Sequence, residues 1–351
     1  MLNDERRLAS VADIHDIHPI PGADAIECGM IRNWPVVIGK GEFHDGERVL
    51  YIEPDAALPL SDPRFTSLGV RGTKTIDGAD YHVLRTIRLR GQLSQGIVFG
   101  LDKFPELLRD SDSSKADDLD LDEVLGIKLW EPPQPPLGAE QKGPWNLPWL
   151  KKTDAERVQN LVDEWLKSVD DGLWIPTEKI DGTSITYALD EANELHVYSR
   201  NWELKTDNPQ ATPMELAAHY GLKDWMIDRG MDALQGEMFG AGIQSNRLGV
   251  KGHRLAVFAM WESRLGQAND RFIDLCNNPG KLEVVPMVDV TFPHTVEEAL
   301  AQADGRKSLI NPERLAEGIV WHHNGNAVFP ELDYRLQFKA VSAAYLIKHG
   351  L

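Results

Sequence analysis

The sequence predicts an α+β protein in two parts: a small β-barrel first, then a larger domain of antiparallel sheets with flanking helices. Three observations carry that expectation. The first hundred residues break into about five short apolar runs separated by turn residues. An acidic and then proline-rich stretch interrupts the chain between residues 103 and 149. Beyond it, strand-like runs mix with amphipathic helical stretches. The expected boundaries are therefore 1–102 for the barrel, 103–149 for a linker and 150–351 for the second domain.

Composition narrows the possibilities. A chain of 351 residues exceeds what one small core organises, and 42% apolar with 26% charged residues is the balance of a folded protein. Cys28 and Cys276 stand alone, which argues against a disulfide framework or a cysteine-bound metal and points to a reducing cytoplasm. The N-terminal residues lack the apolar run of a signal peptide, and no window approaches a membrane span, so no membrane partner is expected. The net charge of −18 runs against the usual footprint of a phosphate binder, although residues 110–123 alone contribute −6. Any polyanion must then meet a local basic surface.

In the barrel, Pro35–Ile38 and Val49–Ile52 flank a glycine-rich loop, Tyr81–Arg90 forms another strand, and Gly96–Phe99 a further one; this strand count suggests an OB-fold. Alternation along Tyr81–Arg90 puts Arg88 and Arg90 on one face, opposite Ile87 and Leu89. With Arg71 and Lys74 they form the most basic patch of the chain, read either as a solvated strand face or as a phosphate-binding surface. A short helical run over 104–108 leads into the linker.

The second domain is expected to open with a helix. Thr153-Asp154-Ala155-Glu156 fits a capping box, and Val158, Leu161, Val162, Trp165 and Leu166 follow at helical spacing, with Arg157 on the polar face. Next come two strand-like runs, Leu173–Ile175 and Ser184–Leu189, around Lys179-Ile180-Asp181-Gly182. Asp-Gly is a turn signal, so Lys179 is predicted beside the turn of a β-hairpin. A lysine can act as a nucleophile there once burial, cations or a metal depress its pKa. Its candidate partners follow. The strand His196–Asn201 ends in Arg200. Glu237 sits mid-strand between glycines, which mark a bulge or a close approach to a ligand. Phe258 is either core or a base-stacking aromatic, Glu317 precedes an apolar strand, and alternation in Arg335–Val341 places Gln337 and Lys339 away from the core.

Lys179-Ile-Asp-Gly, Ser199-Arg-Asn, Gly236-Glu237, the Phe258 strand, Glu317-Gly-Ile-Val and Phe338-Lys339 resemble, in order, the motifs of the covalent nucleotidyltransferases, an adenylyltransferase (ATP-grasp-like ligase) domain. A barrel ahead of that domain, the Lys152–Asn160 segment and Arg88–Gly96 make the chain most similar to the Deinococcus-type RNA ligase family. The resemblance implies an ATP-dependent enzyme that uses a divalent metal, Mg or Mn. Such an enzyme seals 5′-phosphate and 3′-hydroxyl ends, at nicks in an RNA or RNA/DNA duplex, through an AMP carried on Lys179. It also implies residue roles: Glu237 for the ribose, Phe258 for the adenine face, the Glu178 backbone for the adenine edge, and Lys339 for the α-phosphate. Ile180 and Arg200 complete the nucleotide set, Asp181 and Glu317 position the metal, and Arg157 with Arg88 or Arg90 orients pyrophosphate or the RNA end. Gln337 departs from the pattern, because a lysine is common there; Arg335 or a barrel arginine is expected to compensate. Two alternatives are a capping-type guanylyltransferase, disfavoured by the leading barrel, and a non-catalytic RNA-binding protein, disfavoured by the intact acidic and basic set. The chain is read as a monomer.

Overall fold

The computed structural model describes residues 6–107, 120–131, 138–150, 154–262, 269–270, 272–325, 329–332 and 336–351. The chain forms two compact units, one of residues 1–131 with 346–351, the other of residues 132–345.

The first unit contains β1 (Ala9–Pro19), β2 (Ile26–Ile31), β3 (Trp34–Gly39), β4 (Arg48–Ile52), β5 (Ala56–Pro59), β6 (Lys74–Ile76), β7 (Ala79–Val83), β8 (Ile87–Leu89), β9 (Gln92–Ser94), β10 (Ile97–Gly100), α1 (Leu121–Leu125) and β11 (Lys128–Leu129). The main sheet runs β10-β4-β1-β2-β3. Its edge strand β3 meets the end of β9, where Pro35 O accepts from Gln95 N–H at 2.8 Å and Ser94 Oγ accepts from Val37 N–H at 3.0 Å. That contact closes the barrel around Ile14, Trp34, Val36, Val49 and Tyr51, all fully buried. Short apolar runs of alternating burial, cut by turns, thus produce the expected OB-fold.

Three expectations for this unit need correction. Tyr81–Arg90 is not one strand: β7 ends at Val83, β8 starts at Ile87, and Arg90 lies in the β8–β9 turn with φ of 51°. The Leu84 amide still bonds to Ala56 O of β5, and beyond it the Thr86 amide leaves the ladder for Leu351 O. The run after Phe104 is a 3₁₀ turn, Pro105–Leu107. Part of the expected linker is folded: Leu121, Leu125 and Ile127 share a core with Leu58, Phe65 and Phe104, and β11 pairs with β5. The Asp122 carboxylate fastens this segment by accepting from the Leu8 and Ala9 amides, both at 2.8 Å. The rest of the acidic run and the Pro132–Pro136 stretch lie outside the described residues.

The second unit contains β12 (Gln141–Pro144), β13 (Glu156–Arg157), α2 (Asp163–Ser168), β14 (Trp174–Lys179), β15 (Thr183–Leu189), β16 (Leu195–Ser199), β17 (Trp202–Leu204), α3 (Thr212–Tyr220), α4 (Leu222–Arg229), β18 (Ala233–Gly240), β19 (His253–Glu262), β20 (Asn269–Asp270), α5 (Phe272–Asn277), β21 (Glu283–Val284), α6 (Val296–Ala303), β22 (Gly318–His323) and β23 (Gln337–Val341). The large sheet runs β12-β17-β16-β15-β18-β19-β20, with β21 alongside β19; the small one runs β13-β23-β22-β14. Each sheet has its own core. Ile185, Tyr187, Leu234 and Leu255 pack with α3 and α4, whereas Trp174, Trp321 and Phe338 pack with Trp165 and α6.

The helix expected over residues 153–166 is reduced to α2. Glu156 and Arg157 instead pair in parallel with Phe338 and Lys339 of β23, and Val158–Asn160 is a 3₁₀ turn. A free edge of the small sheet takes the backbone hydrogen bonds that helix propensity alone would keep local. The apolar spacing still marks the buried side: Val158, Leu161, Trp165 and Leu166 are core, while Val162 is 55% exposed. Thr153 lies outside the described residues.

Candidate active site

The stretch around Lys179 is not a hairpin. β14 pairs with β22 in the small sheet, and β15 pairs with β16 and β18 in the large one. The chain therefore crosses between sheets at Ile180-Asp181-Gly182, and Lys179 ends the strand on the near side. The crossing is tight enough to require glycine: a Cβ on Gly182 would collide with the Met238 carbonyl. Gly318, opposite Lys179 in β22, is under the same constraint, since a Cβ there would strike the Ala340 carbonyl. The glycines of both motifs are thus close-approach residues.

Lys179 Nζ donates to Glu317 Oε2 at 2.7 Å, with the lysine side chain 26% exposed and Glu317 15%. Glu237, opposite Ser184 on β18, and Asp181 face the same ammonium. Burial pulls the Lys179 pKa down, yet the three carboxylates outweigh it and hold the lysine above its ordinary range. Burial thus acts in the expected direction, and the neighbouring carboxylates act against it. Burial pushes Glu317 up against the opposing pull of Lys179, and it pushes Glu237 to about 8, with Lys179 opposing and Glu317 and Asp181 reinforcing.

The opposite pole is basic. Lys339 on β23 donates to Asp154 Oδ1 at 2.9 Å, and Arg200, in the tight turn between β16 and β17, donates to Asp154 Oδ2 at 3.1 Å. The buried Arg157 sits across from Lys339 in the β13–β23 pairing. Burial lowers Lys339 to about 8; Asp154 opposes this, and Arg157 and Lys179 add to it. Gln337 is buried opposite His322, whose Nε2 lies 3.0 Å from Thr177 Oγ1. Arg335, expected to compensate for Gln337, lies outside the described residues.

The remaining candidates fall less simply. Phe258 is the extra residue of a β-bulge in β19, between Val257 opposite Gly236 and Ala259 opposite Gln235, and it is half-buried. The bulge takes Phe258 out of the strand alternation while its ring still packs against the large core. Ile180 is core, so only its backbone can face a ligand. Glu178 has a buried carboxylate that accepts from Ser308 Oγ at 2.5 Å and Leu309 N–H at 2.6 Å, and its own amide donates to Pro286 O. It anchors the loop before β22. In the first unit Arg88 is exposed, with Nη1 on Gly91 O at 3.0 Å, and Arg90 shares its turn.

Sequence reasoning missed Arg247, which donates to Asp181 Oδ2 at 2.8 Å, and Tyr345, whose hydroxyl faces that pair. It also missed Asp154 as the joint partner of Lys339 and Arg200. None of the three carries a local signal; only the fold brings them in.

The donor set suits a metal and a polyphosphate. Asp181 and Glu317 are hard oxygen donors of the kind Mg or Mn takes, and the Lys339–Arg200–Arg157 pole suits phosphate. Among the described residues no three acidic or imidazole side chains form a ready metal cage.

An OB-fold domain model matches residues 8–101, and the RNA ligase model matches residues 172–341. Among solved structures, a lysine-to-methionine mutant of Naegleria gruberi RNA ligase with AMP and Mn is 34% identical, with a TM-score of 0.83 over 98% of this chain and 99% of that one. The chain belongs to the RNA ligase family. The Naegleria ligase with PPi is likewise similar to this RNA ligase, at 34% identity and a TM-score of 0.83 over 99% of each chain. A lysine-to-alanine mutant with ATP and Mn gives 34% and 0.82 over 98% of this ligase and 99% of that chain. No curated protein sequence matches. Among the described residues of the ligase, no helix is long and apolar enough to cross a membrane.

Proposed function

We propose that this RNA ligase uses ATP and a divalent metal to seal 5′-phosphate and 3′-hydroxyl ends at nicks whose 3′-hydroxyl strand is RNA. The observation that carries the reading is Lys179 at the sheet crossing, with carboxylates on one side and the Lys339–Arg200–Arg157 pole on the other. The solved Naegleria ligases with ATP, AMP, PPi and Mn support it.

Three displacements account for the reaction. Lys179 Nζ, as the neutral amine once its ammonium proton has passed to solvent, attacks the α-phosphorus of ATP; an N–P bond forms, the bridging P–O bond breaks, and pyrophosphate leaves with the bonding electron pair. A 5′-phosphate oxygen then takes the AMP from Lys179, and a 3′-hydroxyl attacks that activated phosphate and releases AMP. Phosphoryl transfer of this kind depends on in-line positioning and neutralised charge. Lys339 holds the α-phosphate, and Arg200 and Arg157 hold the outgoing pyrophosphate or the RNA end. Glu237 receives the ribose hydroxyls, Phe258 stacks on adenine, and the Glu178 and Ile180 backbone borders the base. Asp181 and Glu317 hold the metal, which when bound supplies neutralising charge to these carboxylates and to the phosphate. Arg88 and Arg90 supply phosphate contacts from the barrel.

The test is intact mass after incubation with ATP and Mn²⁺, followed by peptide mapping. A gain of one AMP on the Lys179 peptide, reversed by pyrophosphate, is the expected result. An adduct with GTP alone, or none with either nucleotide, would overturn it.

A further inference from the structure

Arg247 belongs to the loop between β18 and β19, and that loop is built to hold it still. Gln244 and Asn246 occupy the left-handed region, with φ of 47° and 42°, although neither is glycine. Asn246 fixes the turn twice, its Oδ1 accepting from Val250 N–H and its Nδ2 donating to Val250 O, both at 3.0 Å. Asn311 Nδ2 pins the same loop through Leu248 O at 2.8 Å, while Ile243 and Leu248 are buried in the large core. The outcome is a guanidinium delivered to Asp181 Oδ2 at 2.8 Å, with side-chain exposures of 12% and 13%. Tyr345 closes over both groups.

The other cations nearby have their own partners: Lys179 is on Glu317, and Lys339 and Arg200 share Asp154. Arg247 is therefore the cation hydrogen-bonded to Asp181, which also faces the Lys179 ammonium. The Asp181 and Glu317 carboxylates beside one ammonium attract further positive charge, and a divalent ion arriving alone must compete with a guanidinium already at hydrogen-bond distance. A metal arriving on a polyphosphate brings anionic oxygens of its own, which offset the charge it adds.

We propose that Arg247 is a positioning residue, a resident counter-ion that occupies the Asp181 carboxylate in the nucleotide-free ligase and makes metal loading depend on nucleotide. The idea rests on the reading of Asp181 and Glu317 as the metal-holding carboxylates.

The test is a Mn²⁺ titration of the full-length, nucleotide-free protein followed by electron paramagnetic resonance, on wild type, Arg247→Met and Arg247→Lys. Arg247→Met is expected to bind free Mn²⁺ about tenfold tighter than wild type or more. Asp181→Asn added to that variant should abolish the gain. Arg247→Lys keeps the charge and should stay within about twofold of wild type. Unchanged or weaker Mn²⁺ binding by a folded Arg247→Met protein would overturn the proposal. Should Arg247→Met not fold, a tenfold gain in Arg247→Lys would overturn it and a near-wild-type value would support it. AMP labelling of wild-type Lys179 is measured in parallel: its absence would sink the proposed function, whereas labelling with no Mn²⁺ gain would sink only the role of Arg247.

Discussion

Lys179 and Lys339 stand in one site, yet their surroundings drive them in opposite directions. Burial lowers both. Around Lys179 the carboxylates of Glu317, Glu237 and Asp181 overcome it, and the ammonium is held above its ordinary range. Around Lys339 burial dominates, the Asp154 carboxylate is shared with Arg200, and Arg157 and Lys179 add positive charge, so the amine falls to about 8. The difference teaches that burial alone does not decide a lysine's state here; the count and sign of the neighbours do. An acidic pole favours the charged form of Lys179. A basic pole favours the neutral form of Lys339, which still donates to Asp154.

The most severe break in this comparison is Lys179→Ala. AMP labelling should vanish while the circular dichroism spectrum and melting transition stay native; a labelled mutant would move the nucleophile elsewhere. Lys339→Ala attacks the other pole and should slow labelling about 100-fold in single-turnover assays, the scale of losing one charge-stabilising donor. Gly182→Ala tests the crossing that sets the poles facing each other. Its Cβ has no room beside the Met238 carbonyl, so urea unfolding should show a loss of about 3 kcal/mol.

Stability against pH sharpens the contrast further. Glu237 rises from 4.5 to about 8 on folding, so the native state holds its proton where the unfolded chain has lost it. Its contribution is complete below pH 4.5 and drains away as pH climbs to 8. Lys339 falls from 10.5 to about 8, so its contribution is complete above 10.5 and is lost as pH drops to 8. Both therefore press stability toward a minimum near pH 8. Glu237→Gln should flatten the decline from pH 5 to 8, and Lys339→Met the rise from 8 to 10, in denaturation series across that range. If either series keeps the wild-type slope in its window, that assignment is wrong. The smallest effect belongs to the barrel: Arg88→Ala should leave AMP labelling unchanged and lower the salt dependence of RNA binding by about one unit of slope.

Legibility in the sequence followed the range of the forces involved. The strands of the second unit were readable because alternation and glycine punctuation are local, and Trp174–Lys179, Thr183–Leu189, Ala233–Gly240 and Gln337–Val341 all stand near where pattern places them. The stripe Val158, Leu161, Trp165 and Leu166 told which side chains are buried while misreporting the backbone, since burial spacing does not reveal that a sheet edge lies in wait for Glu156 and Arg157. The Lys179 hairpin failed for the same reason. Asp-Gly announces a change of direction, but whether the chain turns back on its partner or crosses to another sheet depends on which strands, far off in sequence, claim each edge.

Motif order thus singled out Lys179, Glu237, Glu317 and Lys339 as candidates, because it survives without coordinates. The tertiary structure decided everything that depends on distance between remote segments. It set Lys179 on Glu317 across 138 residues and Lys339 on Asp154 across 185, and it brought Arg247 to Asp181 from a loop with no signal of its own. Electrostatic character is a property of such neighbours. The charge state of a buried lysine could be assigned only when the fold had chosen them.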